Sequence, residues 1–176
     1  VYVDGGAAFY MTGGKLTRNT NPWGVVEVRS GTFYMSGGEI SGNYGSVWTA
    51  TFDNAGVYLD GPSSKMILSG SAKVTDNRAL NRSDRTKGAP QNIMLNGGAY
   101  VTVADDFTGE AGVMVKDLTA TPVCVVKGEH ADTLTREMAS RFSCDRDYLY
   151  YEINSGEPQL VMTTSHKHNL CGAEFC

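Results

Sequence analysis

The sequence predicts an all-β chain folded as a right-handed parallel β-helix, a single-stranded solenoid, and three observations carry that prediction. Phe9-Tyr10-Met11-Thr12-Gly13-Gly14-Lys15-Leu16-Thr17-Arg18-Asn19 aligns with Phe33-Tyr34-Met35-Ser36-Gly37-Gly38-Glu39-Ile40-Ser41-Gly42-Asn43 at an offset of 24 residues, without a gap over eleven positions. Glycine is abundant and proline scarce, 21 against 5 residues of 176, which marks sharp turns between short strands rather than a disordered composition. Helix signals are nearly absent before Thr135. A β-sandwich or jelly roll is the structural alternative, but such folds lack a gapless two-glycine repeat.

The elements follow in order. Each copy of the repeat is preceded by a strand signal: Val1 to Gly6, then Val25 to Val28. Gly56-Val57-Tyr58-Leu59-Asp60-Gly61 opens a third, degenerate copy, Met66-Ile67-Leu68-Ser69-Gly70 continuing to Val74-Thr75-Asp76-Asn77. Asn92 to Gly98 and Tyr100 to Val103 open a fourth. The expected coils are roughly 1–24, 25–55, 56–90 and 91–118. One coil alone cannot bury its Phe, Met, Leu and Ile; stacking it on the next one can. Asn19, Asn43 and Asn77 would then stack at one corner and satisfy turn backbone groups.

After the repeats come a strand at Val123 to Lys127 and two helical turns from Thr135 to Phe142, with Thr135 as N-cap. Strand signals follow at Tyr148-Leu149-Tyr150 and Gln159-Leu160-Val161, which divides the chain into a β-helix fragment, 1–162, and a small appendage, 163–176.

Copies of F-x-M-S-G-G-x-I-S-G-N with G-V-Y-L between them resemble the β-helical repeats of large secreted or surface proteins of Gram-positive gut bacteria, with a pectate-lyase-like fold. The resemblance covers roughly residues 1–120. It implies a secreted or cell-surface modular protein. It implies no single activity, because β-helices host lyases, hydrolases, adhesins and passive stalks alike.

Charge excludes some partners. The formal net charge is −4, so no global field attracts nucleic acid or an anionic membrane. No apolar run is long enough to span a bilayer. The opening VYVDGG reads as mid-strand, with no signal peptide, so the rest of a larger polypeptide is an expected partner.

Solenoids place function in insertions. Residues 44–55 carry Tyr44, Trp48 and Phe52 beside Asp53 and Asn54, an array that can grip a sugar by stacking and hydroxyl contacts; the alternative is that the aromatics fold back over the coil. Arg78 to Pro90 contains Arg78, Arg82, Arg85 and Lys87 against Asp84, and is either a site for an acidic polysaccharide or a solvated loop. A lyase would need a basic residue and Ca²⁺-binding carboxylates, for which Asp53, Asp60, Asp76, Asp84 and Arg85 are the candidates. Asp105-Asp106 fits a turn, and His130 stands alone.

Cys124 and Cys144 flank the helix signal and are either a disulfide or two thiols. His166, His168, Cys171 and Cys176 can supply the four ligands of a Zn²⁺ site, with a Cys171–Cys176 disulfide as the competing reading. The expected function is a non-catalytic module acting as stalk, adhesin or carbohydrate-contacting scaffold, with no required cofactor. A polysaccharide or host glycan is the expected partner; the alternative function is a polysaccharide lyase or glycoside hydrolase acting on an acidic polysaccharide, and only a lyase would call for Ca²⁺.

Overall fold

A computed structural model describes residues 1–45, 55–80, 87–118, 121–145, 148–154 and 157–164. The described elements are β1 (Tyr2–Val3), β2 (Ala8–Thr17), β3 (Thr20–Asn21), β4 (Val26–Val28), β5 (Thr32–Ser41) and β6 (Tyr44–Gly45). Then come β7 (Val57–Asp60), β8 (Lys65–Leu68), β9 (Lys73–Val74), β10 (Arg78–Leu80), β11 (Lys87–Pro90) and β12 (Ile93–Asn96). The chain continues through β13 (Val101–Val103), β14 (Glu110–Val115), β15 (Val123–Gly128), α1 (Arg136–Ala139), β16 (Phe142–Cys144), β17 (Tyr148–Asn154) and β18 (Glu157–Thr163). The architecture is all-β, built on one large, mostly parallel sheet and compatible with a β-solenoid.

Three stacks make up that sheet. In the first, β1, β4, β7, β12 and the end of β14 pair in parallel, so that Tyr2, Glu27, Tyr58, Met94 and Met114 fall in one column. The second runs through the starts of β2 and β5, then β8, β13 and β15. The third joins the ends of β2 and β5 to β9, the start of β14, and β16. The 24-residue offset is a register: Phe9 lies opposite Phe33 with ring centroids 5.2 Å apart, and Met11 lies opposite Met35.

Strands β2 and β5 each serve two stacks because they turn at their Gly-Gly pair. The β2–β5 register shifts between Met11 and Lys15, and the second glycine of each pair has positive φ, +79° at Gly14 and +85° at Gly38. A side chain is strained there, which is why the motif repeats. Between the turns, alternate residues point inward. Phe33, Met35, Ile40, Leu59, Met66, Leu68, Ile93, Leu95 and Val101 are almost wholly buried in one continuous core. Each such side chain contributes about 1.5–3 kcal/mol of transfer free energy.

The asparagine column is present and longer than the repeat predicts. Asn19 donates from its backbone N–H and Nδ2 to Asn43 Oδ1 at 3.0 and 2.9 Å. Asn43 does the same to Asn77 Oδ1 (3.2 and 2.8 Å), and Asn77 to Asn92 Oδ1 (2.9 and 3.1 Å). Asn92 closes the series on the two oxygens of Asp145, at 2.7 and 2.9 Å. Each buried amide also serves a carbonyl of the preceding segment: Leu16 O from Asn43, Ile40 O from Asn77. Gly112 makes room for the last step, since a Cβ there would lie 2.3 Å from Asn92 Nδ2 and 2.5 Å from Asp145 Oδ1.

A second, four-stranded sheet leaves the same corner. β3, β6 and β10, which start just after Asn19, Asn43 and Asn77, pair in parallel, and β11 returns antiparallel to β10. At the other end of the molecule the parallel order stops. β18 runs antiparallel to β15, β17 runs antiparallel to β18, and Leu160 and Met162 of β18 are buried, as is Leu134.

One expectation changes here, and one open alternative is decided. The helix is one turn, not two: Thr135 caps it as anticipated, accepting from Met138 N at 3.2 Å, but Phe142 is drawn into β16 beside Ala111. Phe142 packs against Phe107, with centroids 5.5 Å apart, so burial of an aromatic outweighs a second helical turn. Cys124 and Cys144 are half-buried thiols, not joined to each other. Burial holds the Cys124 thiol above its usual pKa, which keeps it protonated and unreactive.

Candidate functional site

The outward columns of the three stacks carry the polar chemistry. In the first stack the strands read V-Y-V-D, V-E-V-R, V-Y-L-D and I-M-L-N. Their register continues one residue beyond β1 and β4, so that Asp4, Arg29, Asp60 and Asn96 form a second outward column beside Tyr2, Glu27 and Tyr58.

Arg29 is the hub of this surface. Its Nε donates to Glu27 Oε1 at 2.9 Å and lies 3.7 Å from Asp60 Oδ2, and its guanidinium stands 5.8 Å from the Tyr2 ring centre. Asp60 Oδ1 also accepts from Tyr58 OH at 3.1 Å and Asn96 Nδ2 at 2.7 Å. Burial, and then the neighbouring Asp60 charge, raise the Tyr58 phenol well above its ordinary pKa, so it stays a donor. Asp4 accepts from Ser30 Oγ, from Gly5 N at 2.8 Å and from Tyr2 OH at 2.9 Å; these bonds, the serine's first, hold its carboxyl below the usual range.

The second stack presents aromatics. Tyr10 and Tyr34 are register neighbours with rings 4.7 Å apart and 5° from parallel, and Tyr10 is 65% exposed. Farther along, Lys127 Nζ lies 4.1 Å from the Tyr100 ring centre. A flat, exposed phenol ring of this kind can stack on the C–H face of a sugar.

The third stack alternates in charge. Lys15, Glu39, Lys73, Glu110 and Arg141 occupy one column. Lys15 Nζ meets Glu39 at 2.6 Å and Lys73 Nζ meets Glu110 at 3.9 Å. The Lys15 contact, followed by the Ser41 hydroxyl, holds the Glu39 carboxyl below its ordinary value. At the Arg141 end an open cleft of about 450 Å³ is lined by Thr75, Glu110, Arg141 and Ser143, among others. Arg141 donates to Thr108 O and Glu137, while its Nε is buried with no hydrogen-bond partner among the described residues.

Of the residues expected from the sequence, the structure places few. Asp60 is in the Arg29 cluster, and Asp76 pairs with Arg78 at 3.1 Å. Tyr44 is a half-buried residue of β6, between Thr20 and Arg78. Asp105 and Asp106 are in a turn, accepting from Thr133 Oγ1 and Gly70 N, and His130 is exposed. Trp48, Phe52, Asp53, Arg82, Asp84, Arg85, His166, His168, Cys171 and Cys176 lie outside the described residues. Among the described residues, no three His, Cys, Asp or Glu side chains gather as a metal site.

Sequence reasoning missed Glu27, Arg29, Tyr58 and Asn96. The signal was available: these residues recur two apart in aligned strands, and alternation sends both to one face. No protein-family model, curated protein or solved structure matches this chain.

Proposed function

We propose that the chain is a non-catalytic module of a secreted or cell-surface bacterial protein, a right-handed parallel β-helix that acts as a stalk and contacts carbohydrate. Parallel strands joined by crossovers close in the right-handed sense in nearly all proteins, which supports the handedness. The repeat resembles those of large surface proteins, which supports the location.

One observation carries the non-catalytic reading. The outward carboxylates of the stacks are engaged by groups two residues away along the chain or on adjacent strands: Asp60 by Tyr58, Asn96 and Arg29, Glu27 by Arg29, Glu39 by Lys15 and Ser41. Charges of alternating sign at a spacing of about 4.8 Å hold parallel strands in register, where like charges would repel. These groups serve the stack. The exposed ring of Tyr10, held flat against the half-buried Tyr34, supplies the carbohydrate contact.

A glycan array, followed by assays for reducing ends and for unsaturated-uronate absorbance, tests the proposal. Binding that falls about tenfold in Tyr10→Ala, a loss on the scale of one stacked aromatic, is expected, with no product released in either assay. Turnover of pectin, alginate or a glycosaminoglycan that is lost in Asp60→Asn or Arg85→Ala would replace the stalk with a lyase or hydrolase.

A further inference from the structure

The N-terminal edge of the stacks is unpaired and chemically specific. Among the described residues, β1 pairs only with β4, β2 only with β5, and β3 only with β6. Tyr2 is 57% exposed, and nearly all of the ten-residue β2 faces solvent on its outer side. Long open edges of this kind invite further strands, and proteins usually blunt them with bulges, charges or covering loops. Here the edge carries three unfinished columns.

The asparagine column runs in one direction. Every asparagine from Asn43 to Asn92 accepts, on its side-chain oxygen, the N–H and Nδ2 of the asparagine before it. Asn19 donates both groups onward, yet no described residue donates to its own Oδ1. The alternating-charge column of the third stack ends on Lys15, which is exposed. The column of the first stack ends on Asp4, whose neighbour within it is Arg29.

We infer that this edge is a docking surface for one more parallel coil of the same repeat, and that its columns dictate the coil's residues. An asparagine must stand over Asn19, an acidic residue over Lys15, a basic residue over Asp4, apolar side chains over Phe9 and Met11, and an aromatic ring over Tyr10, so that the ring face offered to a sugar passes to the outermost coil. A parallel coil in register brings a backbone N–H and a side-chain amide together to Asn19 Oδ1, as every later step of the column does. The segment Val25 to Asn43 already meets each requirement, with Arg29, Phe33, Tyr34, Met35, Glu39 and Asn43 at the needed spacings. Charge alternation thus makes the second segment of this chain a fitting cover for its first. The inference rests on the β-helical reading of the fold.

The test fuses a copy of residues 25–43 to Val1 through a copy of residues 20–24, on the full chain, and follows amide hydrogen exchange. The amides from Phe9 to Leu16 should exchange about tenfold more slowly or better, and the copied segment should be protected as well. A second fusion, whose copy carries Arg29→Asp, Glu39→Lys and Asn43→Ala, should lose most of that gain. The inference is overturned if the copy exchanges as an unfolded tail or if the altered copy protects equally well. It also falls if the unfused chain is a dimer with Phe9–Leu16 already protected, for the edge would then join two copies. Contacts between the Phe9 and Phe33 rings, read in the same samples, show whether the stack itself is intact, so failure of docking is distinguishable from failure of the fold.

Discussion

The two ends of the stack solve the same problem in opposite ways. At the C-terminal end, β15 meets an antiparallel β18 and β17, α1 tucks Ala139 inward, and Leu134, Leu160 and Met162 are covered. At the N-terminal end β2 has one neighbour among the described residues, Phe9 and Leu16 are only half-buried, and Tyr2 and Tyr10 face solvent. Phe9 at the open edge and Phe33 one coil inside it are the same in chemistry but not in burial. Position along the stack, more than residue type, therefore decides what a side chain contributes to stability.

The widest gap is expected for phenylalanine. Phe33→Ala removes a side chain that is 0% exposed and should cost about 3–5 kcal/mol, against less than half of that for Phe9→Ala at the open edge. Chemical denaturation of both variants measures the difference, and equal losses would erase the distinction between interior and edge.

The asparagines should follow the same gradient. Asn77→Ala leaves the buried N–H of Asn43 without its acceptor and takes from Ile40 O one of its two donors, the other being Thr75 N, and should cost about 2–4 kcal/mol. Asn19→Ala, at the exposed end, should cost about 0.5–1 kcal/mol. Gly112→Ala tests the far end of the column, because its Cβ would push Asn92 off Asp145. A loss of about 1–3 kcal/mol is expected, typical of overpacking. Wild-type stability in that variant would remove Asp145 from the column.

The smallest effects are electrostatic. Asp4 and Glu39 both have depressed carboxyl pKa values in the folded chain. Their stabilisation is present above the ordinary carboxylate pKa, about 4, and fades as pH falls through the folded values. Glu39→Gln should flatten that acid limb of the stability curve. Tyr58 acts in the opposite direction: its raised pKa stabilises below about pH 10 and is lost as alkali deprotonates it, so Tyr58→Phe should flatten the alkaline limb. Unchanged limbs in these variants would assign the pH dependence to other groups.

How much of this was legible in the sequence depends on whether the repeat was intact. Phe9 over Phe33, Met11 over Met35 and Asn19 over Asn43 follow from a gapless alignment. Asn92 and Asp145 were not legible, because Asn92 enters its column 15 residues after Asn77 and from the far side of the β10–β11 hairpin. Only three-dimensional closure of that excursion shows that it returns to the corner it left. Phe142 was read as helix because Thr135 is a sound N-cap and the local pattern is helical; the pull of Phe107 and Ala111 acts from more than thirty residues away. The Arg29 cluster was missed for a different reason. Its residues lie in regular strands, whereas attention to insertions favoured Trp48, Arg82 and Arg85.

In-register parallel stacking of the repeat is the claim on which all of this depends, and nuclear Overhauser contacts in an aromatic- and methionine-labelled sample test it most directly. Ring contacts between Phe9 and Phe33 and between Tyr10 and Tyr34, methyl contacts from Met11 to Met35, and a slowly exchanging Asn77 side-chain amide are the predicted result. Phe9 and Phe33 without mutual contacts, or an Asn77 amide that exchanges freely with solvent, would contradict it.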